Sequence, residues 1–222
     1  MGKKKKFLFS LLMAAIMMIA MSATVFAAQK NPLAKMPTNI RTVVGQMGGQ
    51  MQFTTPQYPE KTKIEISAVS SNKNVMDVFA ETENYMGRFP CAFYNVQAKK
   101  AGTARLTVTV KLNGKTYKKT CKYTFDKYVS PFTSFKIADK NLTSELKKET
   151  NLWNATGGDS INGKIIYKLK PGYKVISATC RYSGSSSFWH KVKNGQKLSK
   201  VSNLIMVVKN TKTNTVFTIH IN

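Results

Sequence analysis

The stretch that decides the fold is residues 104–125, ARLTVTVKLNGKTYKKTCKYTF. Aliphatic and polar residues alternate from 104 to 112, which is the period of a strand with one buried face and one solvent-facing side. Asn113-Gly114 follows at once and favours a two-residue hairpin turn, because both of its positions need a positive φ. Alternation then resumes over 116–125. The sequence therefore predicts an antiparallel hairpin.

The same period extends outward from this hairpin. The pattern predicts about seven short strands between 36 and 128, including 40–44, 51–54, 63–69, 75–80 and 93–98. In the second half it predicts strands at 164–169, 176–182, 188–193, 204–209 and 216–221. Asn194-Gly195 is a second two-residue hairpin signal, and 144–152 is the only segment that suits a helical turn. Many short strands with frequent turns indicate an all-β protein of the sandwich class.

The first 28 residues have the three parts of a secretory signal peptide. Four lysines, 3–6, precede an apolar run at 7–21, and small residues follow, with Val25 and Ala27 at the spacing of a cleavage site. The apolar run is short for a membrane span, which needs about 20 residues. The sequence predicts a signal peptide over 1–27, and the alternative is an anchor that is kept.

The charge balance is strongly basic. The chain has 35 Lys+Arg against 10 Asp+Glu, a formal net charge of +25. The excess is even, since 16 basic and 6 acidic residues lie in 28–129 and 15 basic and 4 acidic residues in 130–222. Lysine on strand faces supports solubility and blocks edge pairing, but it also attracts polyanions. So few carboxylates, with two histidines, disfavour an acidic metal cage, and no cofactor is predicted.

Three cysteines allow one disulfide and one leftover thiol. Cys91 and Cys121 lie in the same half of the chain and are the candidate pair, and the alternative is three buried thiols. Cys180 with His190 across a serine-rich loop is a candidate thiol dyad. Thiol catalysis needs a histidine in reach of the sulfur, so an enzyme using Cys180 stays an alternative.

Two segments of the first half resemble a known family. Residues 66–78, ISAVSSNKNVMDV, and 96–108, VQAKKAGTARLTV, are similar to bacterial immunoglobulin-like domains of the group 2 type. The resemblance covers about 62–126 and implies an exported, non-catalytic module used as a spacer, an adhesin or a carbohydrate-contacting unit. The segment 81–89 is longer than the short turn usual in the family, and Cys91 and Cys121 are not required by it.

The predicted architecture is two consecutive immunoglobulin-like β-sandwiches after a secretory signal peptide. Residues 28–129 form the first sandwich and 130–222 the second, which only generally looks immunoglobulin-like. The boundary is set at 126–131, where Ser130-Pro131 interrupts the pattern. One larger sandwich is the alternative, because β domains exceed 200 residues in some proteins.

The candidate binding residues combine lysines with an aromatic side chain. Aromatic rings stack on sugars or bases, and lysines hold anionic groups. A buried position for the tryptophan is the alternative. The residues that we predict to bind are Lys118, Lys122, Lys164, Lys168, Lys170, Trp189, Lys191 and Lys193.

These features predict an exported bacterial protein, secreted or cell-surface associated, that binds or adheres and has no enzymatic activity. The expected partner is an anionic cell-wall polymer, a glycan or a surface protein. Nucleic acid is disfavoured, because the chain carries an export signal and no nucleic-acid-binding motif. The main alternative is a structural or protein-docking module whose charge serves only solubility.

Overall fold

The structure is a computed structural model, and it describes residues 30–46, 51–152, 160–184 and 188–222. The predicted signal peptide, 1–27, lies outside the described residues. The chain is all-β, as the sequence predicts, and a 3₁₀ helix occupies Glu145–Lys147. The strands are β1 Asn39–Val43, β2 Gln52–Thr54, β3 Ile64–Ser70, β4 Met76–Tyr85, β5 Phe89–Ala98, β6 Gly102–Leu112, β7 Lys115–Asp126, β8 Phe132–Ile137, β9 Lys140–Asn141, β10 Asn151–Leu152, β11 Ile161–Leu169, β12 Tyr173–Tyr182, β13 His190–Lys191, β14 Lys197–Asn210 and β15 Val216–Ile221.

Strands β1 to β7 form the first sandwich. One sheet has the order β1-β7-β6-β3 and the other β2-β5-β4. The hairpin predicted at 104–125 is formed by β6 and β7, and Asn113 and Gly114 have the positive φ angles, 48° and 83°, that its turn requires. Strand β1 pairs in parallel with β7, so the first and last strands of this sandwich lie side by side.

The core of this sandwich comes from the alternation of β6 and β7. Leu106, Val108 and Val110 of β6 are fully buried, and Tyr123 and Phe125 of β7 stack on each other at 5.6 Å between ring centroids. Burying large apolar side chains of this kind contributes about 1.5–3 kcal/mol each. The opposite faces of both strands stay in water.

Lys119 interrupts the apolar face of β7, and the structure shows why. Its Nζ donates to the carbonyl oxygens of Leu33 and Ala34 at 3.0 and 2.9 Å. Leu33 itself is fully buried. The lysine therefore ties the segment before β1 to the sandwich, a contact between residues more than 80 positions apart that no local pattern predicts.

The β4–β5 hairpin is longer than the predicted strands 75–80 and 93–98. Pairing runs from Met76↔Ala98 to Tyr85↔Phe89. Residues 81–89 are exposed on both faces of the hairpin, so this end projects beyond the sandwich. The segment that departs from the family pattern is therefore an extension of two paired strands.

Strands β8 to β15 surround the second core in one continuous folded sheet. Its order is β10-β15-β14-β11-β8-β9, and β12 adds to the other side of β14 with β13 beside it. Strand β11 joins the two layers, because its first residues pair with β14 and its later ones with β8. Phe132 and Phe135 from β8 pack edge to face at 4.8 Å inside this core.

Gly163 lets β11 change partners. It has φ +110°, and the register of β11 against β14 shifts between Ile161 and Gly163. A Cβ at this position would overlap the Cβ of Ala138 and lie 3.1 Å from its Cα. Only glycine fits both the backbone angle and the contact.

The hairpin predicted at Asn194-Gly195 is wrong. Strand β13, before this turn, pairs with β12, while β14, after it, pairs with β11, β12 and β15. The turn docks on β11 instead, since the Asn194 side chain bonds to both the backbone N–H and the C=O of Tyr167 at 2.9 Å. Asn194-Gly195 still forms a turn, but the strands before and after it do not pair with each other.

The two sandwiches meet along β1 and the edge of β15. The Asp126 carboxylate accepts two hydrogen bonds from Arg41, at 2.8 and 2.9 Å, and one from the hydroxyl of Thr215. The Gln46 side chain accepts from the backbone N–H of Thr218 at 2.6 Å. Val43 of β1 belongs to the second core. The connection is therefore held by specific polar contacts and a shared apolar residue.

We expect Gly163→Ala to destabilise the second sandwich by about 3 kcal/mol, since it adds both φ strain and overlap with Ala138. Gly184→Ala is the matched control, because Gly184 also lies in the second half and has a positive φ but open space around it. That control should cost about 1 kcal/mol. Tryptophan fluorescence during urea unfolding reports the second half, where both tryptophans of the sequence lie. Equal losses in the two variants would contradict the role of Gly163.

Asp126→Asn should lower the unfolding temperature by about 3 °C at pH 7, as expected for a partly exposed ion pair. The hydrogen bond from Arg41 is the largest cause of the lowered pKa of Asp126. Its stabilisation is therefore present above the unfolded-state pKa and is lost as the pH falls through the lower folded-state pKa. The difference between wild type and variant, followed by calorimetry, should close in acid. Glu65→Gln, which removes an exposed pair to Lys111, should show a smaller difference at pH 7.

Candidate polyanion-binding face

The outer face of the β1-β7-β6-β3 sheet carries a group of cations that form no ion pair with a described residue. Arg105 of β6 lies directly opposite Lys122 of β7, and Lys118 lies opposite Thr109 in the same hairpin. All three charged side chains are exposed. We call Arg105, Lys118 and Lys122 the basic face. The sequence predicted the two lysines as binding residues but missed Arg105, whose signal was its place on the polar side of the same alternation.

The carboxylates near the basic face are already engaged. Glu65 pairs with Lys111 at 3.4 Å, and Asp126 pairs with Arg41. No described carboxylate forms an ion pair with a residue of the basic face. Two cations held directly opposite each other across a ladder repel and destabilise the sheet. The arrangement therefore leaves positive charge that an external anion would neutralise.

Like-charged pairs recur in the second sandwich. Lys164 lies opposite Lys197 across β11 and β14, and Lys174 lies opposite Lys209 across β12 and β14. The sequence predicted only Lys164 among these four. These lysines are brought together by the pairing of strands that are distant in the sequence. No local sequence pattern predicts how such strands align.

A cleft of about 710 Å³ at the junction adjoins the basic face. Asn39 lines it and is also the ladder partner of Lys122. Lys35 and Phe53 line it too, and the Phe53 ring stacks on Tyr94 at 5.6 Å. An aromatic ring, amides and a lysine around one cleft are groups that contact sugars and anions. The sequence did not predict this site, because its walls come from four separate parts of the chain.

The lysines of the second half that the sequence predicts as binding residues lie on more than one element. Lys164 and Lys168 are exposed on β11, while Ile165 and Tyr167 between them face the core. Lys170 is half-buried in the turn that leads to β12, and its backbone N–H bonds to Pro131. A register shift in the pairing of β11 with β8 follows Lys168, and Lys170 is less exposed than the other two lysines.

Trp189 and Lys191 lie on the other layer. Lys191 is opposite Thr179 on β12, and the Arg181 guanidinium sits 5.8 Å from the Trp189 ring centroid. Trp189 is 46% exposed, so it is not a core residue. Lys193 is exposed next to the Asn194-Gly195 turn. These residues point away from the core on a different layer from Lys164 and Lys168, so the predicted set does not form one surface.

All three cysteines are free thiols, so the predicted Cys91–Cys121 disulfide is not formed. Cys121 points into the first core. Cys91 is buried as well but lies on the opposite face of β5 from Tyr94 and Val96, which enter that core. The two sulfurs therefore stand on different sides of one sheet. Alternation within β5 separates them, although the two residues share a domain.

Cys180 and His190 are direct ladder neighbours on β12 and β13. The thiol is nevertheless fully buried, and burial raises its pKa. The His190 ring packs edge-on against Tyr182 at 5.0 Å. A buried thiol with a raised pKa stays protonated and is a weak nucleophile. Within the described residues, no group of three or more His, Cys, Asp or Glu side chains is placed to hold a metal ion.

Comparisons with known proteins give structural matches only. No family model and no curated protein matches the chain. Domains 4–9 of the surface layer protein SbsC share 11% identity at a TM-score of 0.27, over 83% of this chain and 29% of that one. Domains 5–6 of the same S-layer protein share 12% identity at a TM-score of 0.27, over 84% of this chain and 93% of that one. In the described part of the chain, no helix is long and apolar enough to cross a membrane.

We expect three reactive thiols per chain when the unreduced protein is denatured and titrated with a thiol reagent. In the folded state at pH 8 the same reagent should react slowly, because all three thiols are buried and desolvation raises the pKa of Cys121 to about 11. Finding a single thiol in denaturant would show that a disulfide forms. Fast reaction of the folded protein that disappears in Cys180→Ala would restore the thiol-enzyme alternative.

Proposed function

We propose that this protein is an exported, non-catalytic binding module that holds an anionic cell-wall polymer on the basic face. The observation that carries the proposal is the direct opposition of Arg105 and Lys122 in mid-sheet, without a described carboxylate to pair with either. A repulsive pair costs folding free energy. An external anion between the two cations would relieve their repulsion, and the free energy released would favour binding of the anion.

The spacing of the cations suits a polymer better than a small anion. Lys118 and Lys122 are four residues apart on one strand, so they stand about 13 Å apart along β7. Threonines occupy the positions between and beside them, among them Thr120 and Thr107. The face is therefore flat and hydrogen-bonding, with positive charges in rows. A chain with regularly spaced negative groups matches this surface.

The cleft at the junction of the two sandwiches continues the proposed binding surface beyond β7. Asn39 connects Lys122 to the cleft, where Lys35 and Phe53 supply a further cation and a ring. A polymer of sugars with anionic substituents would lie along β7 and place one sugar in the cleft. The ligand class that we propose is thus an anionic glycan or glycopolymer of the wall.

The absence of enzymatic activity is part of the proposal. The buried, protonated Cys180 supports it. The proposed location is secreted or bound to the bacterial surface, which the predicted signal peptide supports. We also propose that 62–126 is a bacterial immunoglobulin-like domain of the group 2 type. Strands β3 to β7, which lie within 62–126, contribute to two facing sheets, and this supports the assignment.

The test is binding of residues 28–222 to isolated sacculi, with and without their anionic polymers, over a salt series. We expect binding to need the polymers and to fall steeply with salt, because exposed charges are screened. Arg105→Gln with Lys122→Gln should weaken binding about tenfold, at about 0.7 kcal/mol for each lost contact.

The matched control is Lys73→Gln with Lys100→Gln, which removes the same charge from two exposed residues outside the strands. This control should bind within about twofold of wild type. The Arg105/Lys122 variant should be at least as stable as wild type, because it removes a repulsive pair. Equal binding by both variants, or no binding at physiological salt, would refute the proposal and favour the structural alternative.

A further inference from the structure

The outer face of the β2-β5-β4 sheet exposes a group of aromatic side chains. Phe79 is 55% exposed and contacts Phe93 at 6.1 Å between ring centroids. Tyr85 and Phe89, a ladder pair, are 49% and 41% exposed at the end of the hairpin. Exposed aromatic groups that lie together on one face mark interaction surfaces.

The charges on this face are acidic. Asp77, Glu81 and Glu83 point outward from β4 with Phe79 and Tyr85. They are three of the 10 acidic residues of a chain whose net charge is +25, so a segregated acidic surface is present. Asp77 pairs with Lys99 at 2.7 Å, and no ion pair to a described residue engages Glu81 or Glu83. We call Phe79, Glu81, Glu83, Tyr85 and Phe89 the acidic aromatic face.

The acidic aromatic face and the basic face belong to opposite sides of one sandwich. The first lies on the outside of β2-β5-β4 and the second on the outside of β1-β7-β6-β3, with the core between them. Neither face reaches the other within one molecule. Two copies of the chain, however, bring them together when the acidic side of one meets the basic side of the next.

We propose that the chain associates with itself head to tail, the acidic aromatic face of one copy docking on the basic face of a second copy. Opposite charge selects the pairing, and the rings bury apolar area at its centre. Because the two contact surfaces differ, the interface is heterologous and leaves one free face of each kind at the ends. The assembly therefore grows into linear stacks.

The projecting hairpin suits this role. Residues 81–89 extend beyond the sandwich, so they reach a neighbour without a clash between the two cores. Met86 at the tip has φ +51° and is 77% exposed. A non-glycine residue in the left-handed region with its apolar side chain in water is costly on both counts. Burial against a second copy removes the second cost.

The experiment uses sedimentation velocity of residues 28–222 over a concentration and salt series. Wild type should show mass that rises with concentration and falls with salt. Glu81→Lys with Glu83→Lys should be monomeric, and so should Lys118→Glu with Lys122→Glu. Both double variants change exposed side chains only, and unfolding temperatures within about 3 °C of wild type would show that they are folded.

A mixture of the two variants is the decisive sample. The first keeps a native basic face and the second a native acidic aromatic face, and their two altered faces are again opposite in charge. We expect the mixture to regain an association that neither variant shows alone. A wild-type monomer at all concentrations, a mixture that stays monomeric, or a Lys118/Lys122 variant that still associates would each overturn the proposal.

A further variant tests the apolar part of the interface without reversing any charge. Tyr85→Ser with Met86→Ser removes apolar area at the projecting tip and leaves the charges in place, and it should weaken association at least tenfold. The polymer assay separates this proposal from the proposed function. Glu81→Lys with Glu83→Lys should abolish association while sacculus binding is kept, and the reverse pattern would count against self-association.

Discussion

The first sandwich depends on the pleat of the β6–β7 hairpin. Alternate side chains of these strands fill the core, where Leu106, Val108, Tyr123 and Phe125 are buried, and those between them face water. The same constraint places Arg105 beside Lys122 on the outside. The pairing register of β6 and β7 therefore determines both the core and the basic face. A shift of that register by one residue would disrupt both.

Charge is distributed unevenly over this frame, although the sequence shows an even excess. The outside of one sheet carries five basic side chains against two carboxylates, whereas the outside of the other carries Asp77, Glu81 and Glu83. A protein of net charge +25 thus presents an acidic surface on its projecting hairpin. The proposed polymer binding and the proposed self-association use the same basic face, so a polyanion would compete with a second copy for it.

Some features were missed for identifiable physical reasons. The Cys91–Cys121 pair failed because alternation in β5 turns Cys91 away from the core that holds Cys121. The Asn194-Gly195 hairpin failed because hydrogen bonds from Asn194 to Tyr167 hold the turn on β11. In each case a contact distant in sequence outweighed a local signal.

The sequence by itself determined the all-β class, the β6–β7 hairpin and the outward position of Lys118 and Lys122. Each follows from period-two alternation and from the φ preference of Asn113-Gly114, which are properties of neighbouring residues. Only the tertiary structure decided that Asn39 lies beside Lys122, that Asp126 joins Arg41 to Thr215, and that the β4–β5 hairpin projects. These features depend on how the strands align and on the contact between the two sandwiches. The periodicity of the sequence does not encode such contacts, because it reflects neighbouring residues only.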